Sequence, residues 1–138
     1  MLYHRLYPIE FNHCDPAGIV FYPRYFEMTN HVCENFFREA VGVSYGEMMK
    51  QQSGVPTVRL ETDFRAPSRL GDVLEVTLEV LRLGTTSVTF EIVGACGGRV
   101  RLVVTITLVW VAEADGAIAP QPWPEAIKAK LHSYLRAA

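Results

Sequence analysis

The hydrophobic periodicity changes once along the chain, and that change limits what it can fold into more than any other feature. From Pro23 to about Val41 the apolar residues recur with the roughly 3.6-residue period of an amphipathic helix; beyond Gly54 they alternate with the period of about two that marks a strand. Projected at about 100° per residue, Tyr25, Phe26, Val32, Cys33, Phe36, Phe37 and Ala40 share one half of the helix surface. Arg24, Glu27, His31, Glu34 and Arg38 fall on the other half, where Glu34 and Arg38 are spaced to pair. Pro23 stands in the first turn, where a missing N–H costs nothing, and Gly42 follows the end. At ~1.5 Å per residue this helix spans roughly 28 Å, enough to cross about five or six strands. A shorter helix is predicted around residues 44–51.

The strands surround that helix in sequence. Residues 3–11 read as a first strand, followed by a loop from Asn12 to Val20 (NHCDPAGIV) punctuated by Asp15, Pro16 and Gly18. Val58, Leu60, Thr62, Phe64 and Ala66 alternate with Thr57, Arg59, Glu61, Asp63 and Arg65, which predicts a strand buried on one face. Three more strands are expected at 73–83, 87–95 and 100–112, turning at Gly84-Thr85 and at Gly97-Gly98, a pair suited to a two-residue hairpin with positive φ. Hairpins join antiparallel neighbours, so the fold class is α+β, an antiparallel sheet whose apolar face the long helix covers. A last amphipathic helix, from Pro124 to about Leu135, adds Trp123, Ile127, Leu131 and Leu135 to the packing. On the far side of the sheet Val103, Val109 and Val111 share a face with Arg101, Thr105 and Thr107, and a half-apolar face of that kind predicts sheet-to-sheet oligomerisation.

Composition removes several function classes. With 138 residues, 49% of them hydrophobic, and no linker or repeat, the chain is expected to form one domain over residues 1–138. Lys plus Arg number 13 against 15 Asp plus Glu, so no strong field draws nucleic acid or an anionic membrane. The longest apolar stretch, Leu102 to Ala112, falls short of the ~20 residues that span a bilayer, and MLYHRLYPIEF holds no signal-peptide core; a cytoplasmic protein is expected. Cys14, Cys33 and Cys96, odd in number and widely spaced, read as reduced thiols.

The densest group of reactive side chains is His13, Cys14 and Asp15, just before the helix start at Tyr22-Pro23. Asp15, ionised at neutral pH, can attack a carbonyl or activate water. The nearby helix N-terminus carries unpaired N–H groups and partial positive charge, which stabilise a carbonyl oxygen as it gains negative charge. Against this, Asp before Pro opens turns, its side chain accepting from the backbone two residues on. Cys14 activated by His13 is a weaker alternative, since adjacent residues on an extended segment point oppositely. A metal held by His4, His13 and Asp15 has no supporting ligand spacing. His31 and Glu34, three apart on the helix, read chiefly as a solvated face, Cys33 as a buried small hydrophobe and His132 as surface. No dinucleotide fingerprint, P-loop or nucleophile elbow occurs.

The segment IEFNHCDPAGIVFYPRYFEM resembles the 4-hydroxybenzoyl-CoA thioesterase family of hot-dog fold proteins, and the resemblance continues through FRAPSRLGDVLEV and RLGTTSVTFEI. It implies a long central helix wrapped by a curved antiparallel β-sheet. It also implies a homodimer as the minimal active unit, with each site at the interface, often paired further into a homotetramer. It implies acyl-CoA thioester hydrolysis, with coenzyme A part of the substrate and no other cofactor. By resemblance Asp15 is the catalytic carboxylate, as nucleophile or as base, and the backbone N–H of Tyr22 polarises the thioester carbonyl. His13, Gly18, Phe21, Tyr25 and Val58 are expected to line the substrate pocket. Arg82, or else Arg59, Arg65 or Arg69, is expected to meet the coenzyme's phosphates, although the Arg and Lys cluster of the aromatic-specific member is replaced here by Gly84, Thr85 and Thr86. Two rivals are an acyl-CoA hydratase or dehydratase using His31 with Glu34, and a non-catalytic acyl-CoA binding module.

Overall fold

Tyr3–Pro8 forms the first strand, β1, and it stops there rather than at residue 11. Ile9 still exchanges bonds with Asp72 and Gly71 at 2.7 and 3.0 Å, and the chain then turns through a 3₁₀ segment at Phe11–His13. The long helix, α1, covers Pro23–Phe36 and continues without a break as one wider π-helical turn, Phe37–Val41, which Gly42 ends. Tyr25, Met28, Val32, Cys33, Phe36 and Phe37 are buried, while Arg24, Glu27, His31, Glu34 and Arg38 are exposed, as the projection requires. Glu34 and Arg38 do not pair. The Asn35 amide donates to the His31 carbonyl at 2.9 Å, which leaves its oxygen to accept from Arg38 Nε at 3.2 Å.

The short helix α2, Tyr45–Lys50, begins at Ser44, whose hydroxyl accepts from Glu47 N while the Glu47 carboxylate accepts from Ser44 N. This reciprocal cap explains why six residues suffice for a helix here. The strands that follow are β2 (Ser53–Gly54), β3 (Thr57–Phe64), β4 (Val73–Leu83), β5 (Ser87–Cys96) and β6 (Arg99–Val109), then β7 (Val111–Ala114) and β8 (Ala117–Pro120). A last helix, α3, covers Glu125–His132. The computed structural model describes residues 1–137.

Five strands make one antiparallel sheet in the order β1-β4-β5-β6-β3, and β2-β7-β8 make a second. Gly97 and Gly98, with φ of 59° and 76°, supply the left-handed pair that a tight β5–β6 hairpin demands. The strand expected at 100–112 is in fact two. Trp110 interrupts it, buried to 5% exposure; its N–H donates to the Thr86 carbonyl at 2.7 Å, one residue past the Ser87–Val109 pair, and from Val111 the chain pairs with β2 and β8 instead. Alternate residues of β4, β5 and β6 turn inward, and Leu78, Val80, Val88, Phe90 and Val104 reach 0% exposure against α1. Trp123, Ile127 and Leu131 close one end of this core, as expected.

β3 departs from its predicted burial. Val58, Leu60 and Phe64 are 60%, 40% and 51% exposed, because β3 is an edge strand paired only with β6. Val103, Thr105 and Thr107 do share the half-buried outer face of β6. Among the described residues no helix is long and apolar enough to cross a membrane, and the three cysteines are free.

Candidate active site

The segment between β1 and α1 folds into a tight hairpin of its own. Cys14 and Val20 form an antiparallel bridge, Asp15 N donates to Ile19 O and Gly18 N to Asp15 O, both at 2.9 Å. Gly18 takes φ of 80°, a conformation open to glycine without a Cβ penalty. The hairpin is tied to the body by Val20 N donating to Ser68 O at 2.9 Å and by a bridge from Ile19 to Arg69.

At its tip the backbone N–H of Ala17 donates to Asp15 Oδ1 at 2.9 Å. The turn expected of an Asp-Pro pair is therefore present, and it occupies one carboxylate oxygen. The second oxygen accepts from nothing among the described residues. Asp15 is half-buried and borders a surface depression of about 290 Å³ with Asn12, Cys14, Pro16, Phe21 and Arg24.

Tyr22 leads into α1. Its neighbour Pro23 has no N–H, Arg24 N donates to Phe21 O at 2.9 Å and Tyr25 N to Tyr22 O at 3.1 Å. Among the described residues nothing accepts from the Tyr22 backbone N–H, so the first unpaired donor of α1 is available to a ligand. The Tyr22 ring faces Phe21, Phe26 and Phe64 with centroids 5.7, 6.5 and 6.0 Å away. With Tyr25, Phe64, Arg65 and Pro67 it lines a second groove of about 300 Å³. Asp15 and the Tyr22 ring thus open onto different depressions, in contact through Phe21 and Tyr22.

The other expected site residues divide in the same way. Phe21 borders the depression of Asp15, Tyr25 lines the aromatic groove, and His13 borders a separate recess. Gly18 shapes the hairpin from the outside. Val58 lies six residues from Phe64 along β3, roughly 20 Å from the groove by strand rise. Arg82 lies at the far end of β4 from the Val73 end that adjoins the hairpin, roughly 30 Å away on the same scale. Neither Val58 nor Arg82 joins Asp15. Arg59 is paired with Glu61, Arg69 adjoins the hairpin, and Arg65 lines the groove beside Tyr22. Sequence reasoning misses Phe64 and Arg24 as lining residues: alternation puts Phe64 on a buried face, and the helical projection puts Arg24 on a solvated one. The signal for Arg24 was its place in the first turn, next to Pro23.

A third recess, about 260 Å³, shares Asn12 and Arg24 with that of Asp15 and is bordered by Tyr7, His13, Glu27 and His31. Tyr7 Oη lies 2.5 Å from His31 Nδ1, and burial pushes the Tyr7 phenol up to about 12. His31 is further engaged by the Asn35 amide at 3.2 Å, and Glu34 does not border the recess, so the pair a hydratase would need is not assembled. His13 Nδ1 accepts from Glu10 N at 2.8 Å, and the Cys14 thiol donates to Glu10 O at 3.6 Å, which leaves no His13–Cys14 couple. Burial pushes the Cys33 thiol up to about 12, as befits a core residue. Among the described residues no three His, Cys, Asp or Glu side chains are placed to hold a metal ion.

The family model described as the thioesterase-like superfamily matches residues 9–131. A gentisyl-coenzyme A thioesterase of known structure is 27% identical, with a TM-score of 0.81 over 95% of this chain and 99% of that one. A 1,4-dihydroxy-2-naphthoyl-CoA thioesterase from Synechocystis is 16% identical, with a TM-score of 0.84 over 96% of both chains. A Staphylococcus aureus protein solved in complex with CoA is 14% identical, with a TM-score of 0.88 over 100% of this chain and 88% of that one. The last two likenesses carry the fold: one long helix wrapped by an antiparallel sheet, as the resemblance implied. No curated protein sequence matches the chain.

Proposed function

The chain belongs to the thioesterase-like superfamily, and from that premise we propose that it hydrolyses acyl-CoA thioesters with Asp15 as the catalytic carboxylate and the Tyr22 backbone N–H as the oxyanion donor. One observation carries the assignment. The hairpin holds Asp15 by one oxygen through Ala17 N and leaves the other unpaired, a few residues from the start of α1, where the Tyr22 N–H has no acceptor among the described residues. The similarity to a gentisyl-coenzyme A thioesterase supports the substrate class.

Two courses fit these groups. As a base, Asp15 takes a proton from water, the hydroxide adds to the thioester carbon, and the resulting oxyanion accepts from Tyr22 N–H until the C–S bond breaks. The leaving thiolate then takes up a proton as coenzyme A departs. As a nucleophile, Asp15 displaces the thiolate to give a mixed anhydride, which water hydrolyses to regenerate the carboxylate. Both release a free acid and coenzyme A.

The active unit in this reading is a homodimer. β3 leaves an unpaired ladder edge flanked by exposed Val58, Leu60 and Phe64, a surface that antiparallel pairing with a second copy would bury. A partner's strand there would add new walls to the aromatic groove. The outer face of Val103 and Val109 on β6 is the surface for a tetramer; Val111, grouped with them by sequence, lies instead on β7 of the second sheet. Release of free thiol from aromatic and aliphatic acyl-CoA esters, wild type against Asp15→Asn, tests the assignment; an unaffected variant removes it.

A further inference from the structure

Tyr25 separates two spaces. Above it is the aromatic groove shared with Tyr22 and Phe64; the Tyr25 and Phe64 rings are 6.0 Å apart and tilted by 38°. Below it, between α1 and the sheet, is a small apolar space of about 10 Å³ bordered by Met28, Leu74, Val76, Ile92 and Leu102. Tyr25 itself is 5% exposed and borders both spaces. A void of that size with apolar walls stays dry.

Gly94 keeps the lower space open. A Cβ built there would lie 2.7 Å from Leu102 Cδ2 and 4.0 Å from Leu74 Cδ1, so any side chain would push Leu102 into the gap. Glycine inside a buried strand weakens it, yet here it borders the same small space as Tyr25.

We propose that Tyr25 sets the acyl-chain limit: it ends the pocket after an aryl or short acyl group, and the space over Gly94 is where a longer straight chain would run if the ring were absent. The proposal rests on the thioesterase reading for the identity of the ligand. Its physical basis is packing. Three aromatic rings, those of Tyr22, Tyr25 and Phe64, can meet a planar acyl group face or edge on, whereas a flexible chain would have to displace a buried ring from a close-packed core.

The test uses non-hydrolysable S-alkyl-CoA thioethers from ethyl to decyl, titrated calorimetrically into wild type, Tyr25→Ala, Tyr25→Leu and Tyr25→Ala/Gly94→Ala. Each methylene that finds apolar space adds about fourfold in affinity, or ~0.8 kcal/mol. Wild-type affinity should stop rising at a short chain, and the decyl-to-butyl affinity ratio should rise about tenfold or more in Tyr25→Ala. Tyr25→Leu keeps an apolar side chain at the buried position and should show a smaller rise, and Gly94→Ala should return the ratio toward wild type. An unchanged ratio in both Tyr25 variants, with native circular dichroism, overturns the proposal. Thiol release from matching acyl-CoA esters is read separately: shifted binding without turnover in any protein upholds the chain-length limit and removes the thioesterase reading.

Discussion

Ala17 N donates to Asp15 Oδ1 at 2.9 Å, so the residue assigned the chemistry also holds its own loop. This double role sets the choice of variant. Asp15→Asn retains an oxygen for the Ala17 N–H, and its unfolding free energy should stay within about 0.5 kcal/mol of wild type. Asp15→Ala loses the turn bond and should be about 1 kcal/mol less stable. Urea unfolding checks both.

A second prediction concerns the joint beside the hairpin. Arg101 Nη1 lies 2.8 Å from Asp72 Oδ2, which also accepts from Arg69 N at 2.9 Å. The Arg69 N–H first, and the Arg101 guanidinium second, hold the Asp72 carboxyl below the usual carboxylate range. A carboxyl depressed in the folded state stabilises the fold above its unfolded value of ~3.9 and loses that contribution as pH falls through the lower folded value. Asp72→Asn should therefore cost about 1–2 kcal/mol at neutral pH, and the gap to wild type should close in strong acid. A parallel pair of stabilities from pH 7 down to the acid transition checks the sign.

The core offers a third. Phe36 has 0% exposure, with ring centroids of Phe90, Tyr134 and Tyr3 at 5.3, 5.0 and 5.5 Å. Phe36 thus fastens α1 to β5, β1 and the C-terminal segment together. Phe36→Ala should lose about 3–5 kcal/mol, seen as a lower denaturant midpoint.

The edge strand gives a fourth. Leu60→Arg places a charge in the middle of the exposed β3 edge. Wild type should sediment as a dimer or larger and the variant as a monomer, with thiol release lost alongside. A monomeric, fully active variant removes the dimeric site.

Much of this fold is legible in the sequence because its signals are local. The α1 stripe, the Ser44 cap and the Gly97-Gly98 hairpin each depend on residues a few positions apart. The β7–β8 hairpin had a comparable signal in Asp115-Gly116, both at positive φ, but the strands it joins are only four residues each. What stayed hidden depends on tertiary placement. Alternation marks Phe64 as half-apolar but does not say that β3 lies at an edge, and no local pattern separates Arg82 from Asp15 by the length of a strand. Asp15 itself was found by clustering with His13 and Cys14; the grooves around it come from elements far apart in sequence.

The measurement closest to the central claim is kcat/KM for thiol release from the best acyl-CoA ester, wild type against Asp15→Asn. The account predicts a loss of about 100-fold or more, ~2.7 kcal/mol of transition-state stabilisation, in a variant that remains folded. Equal turnover by the two proteins would contradict it.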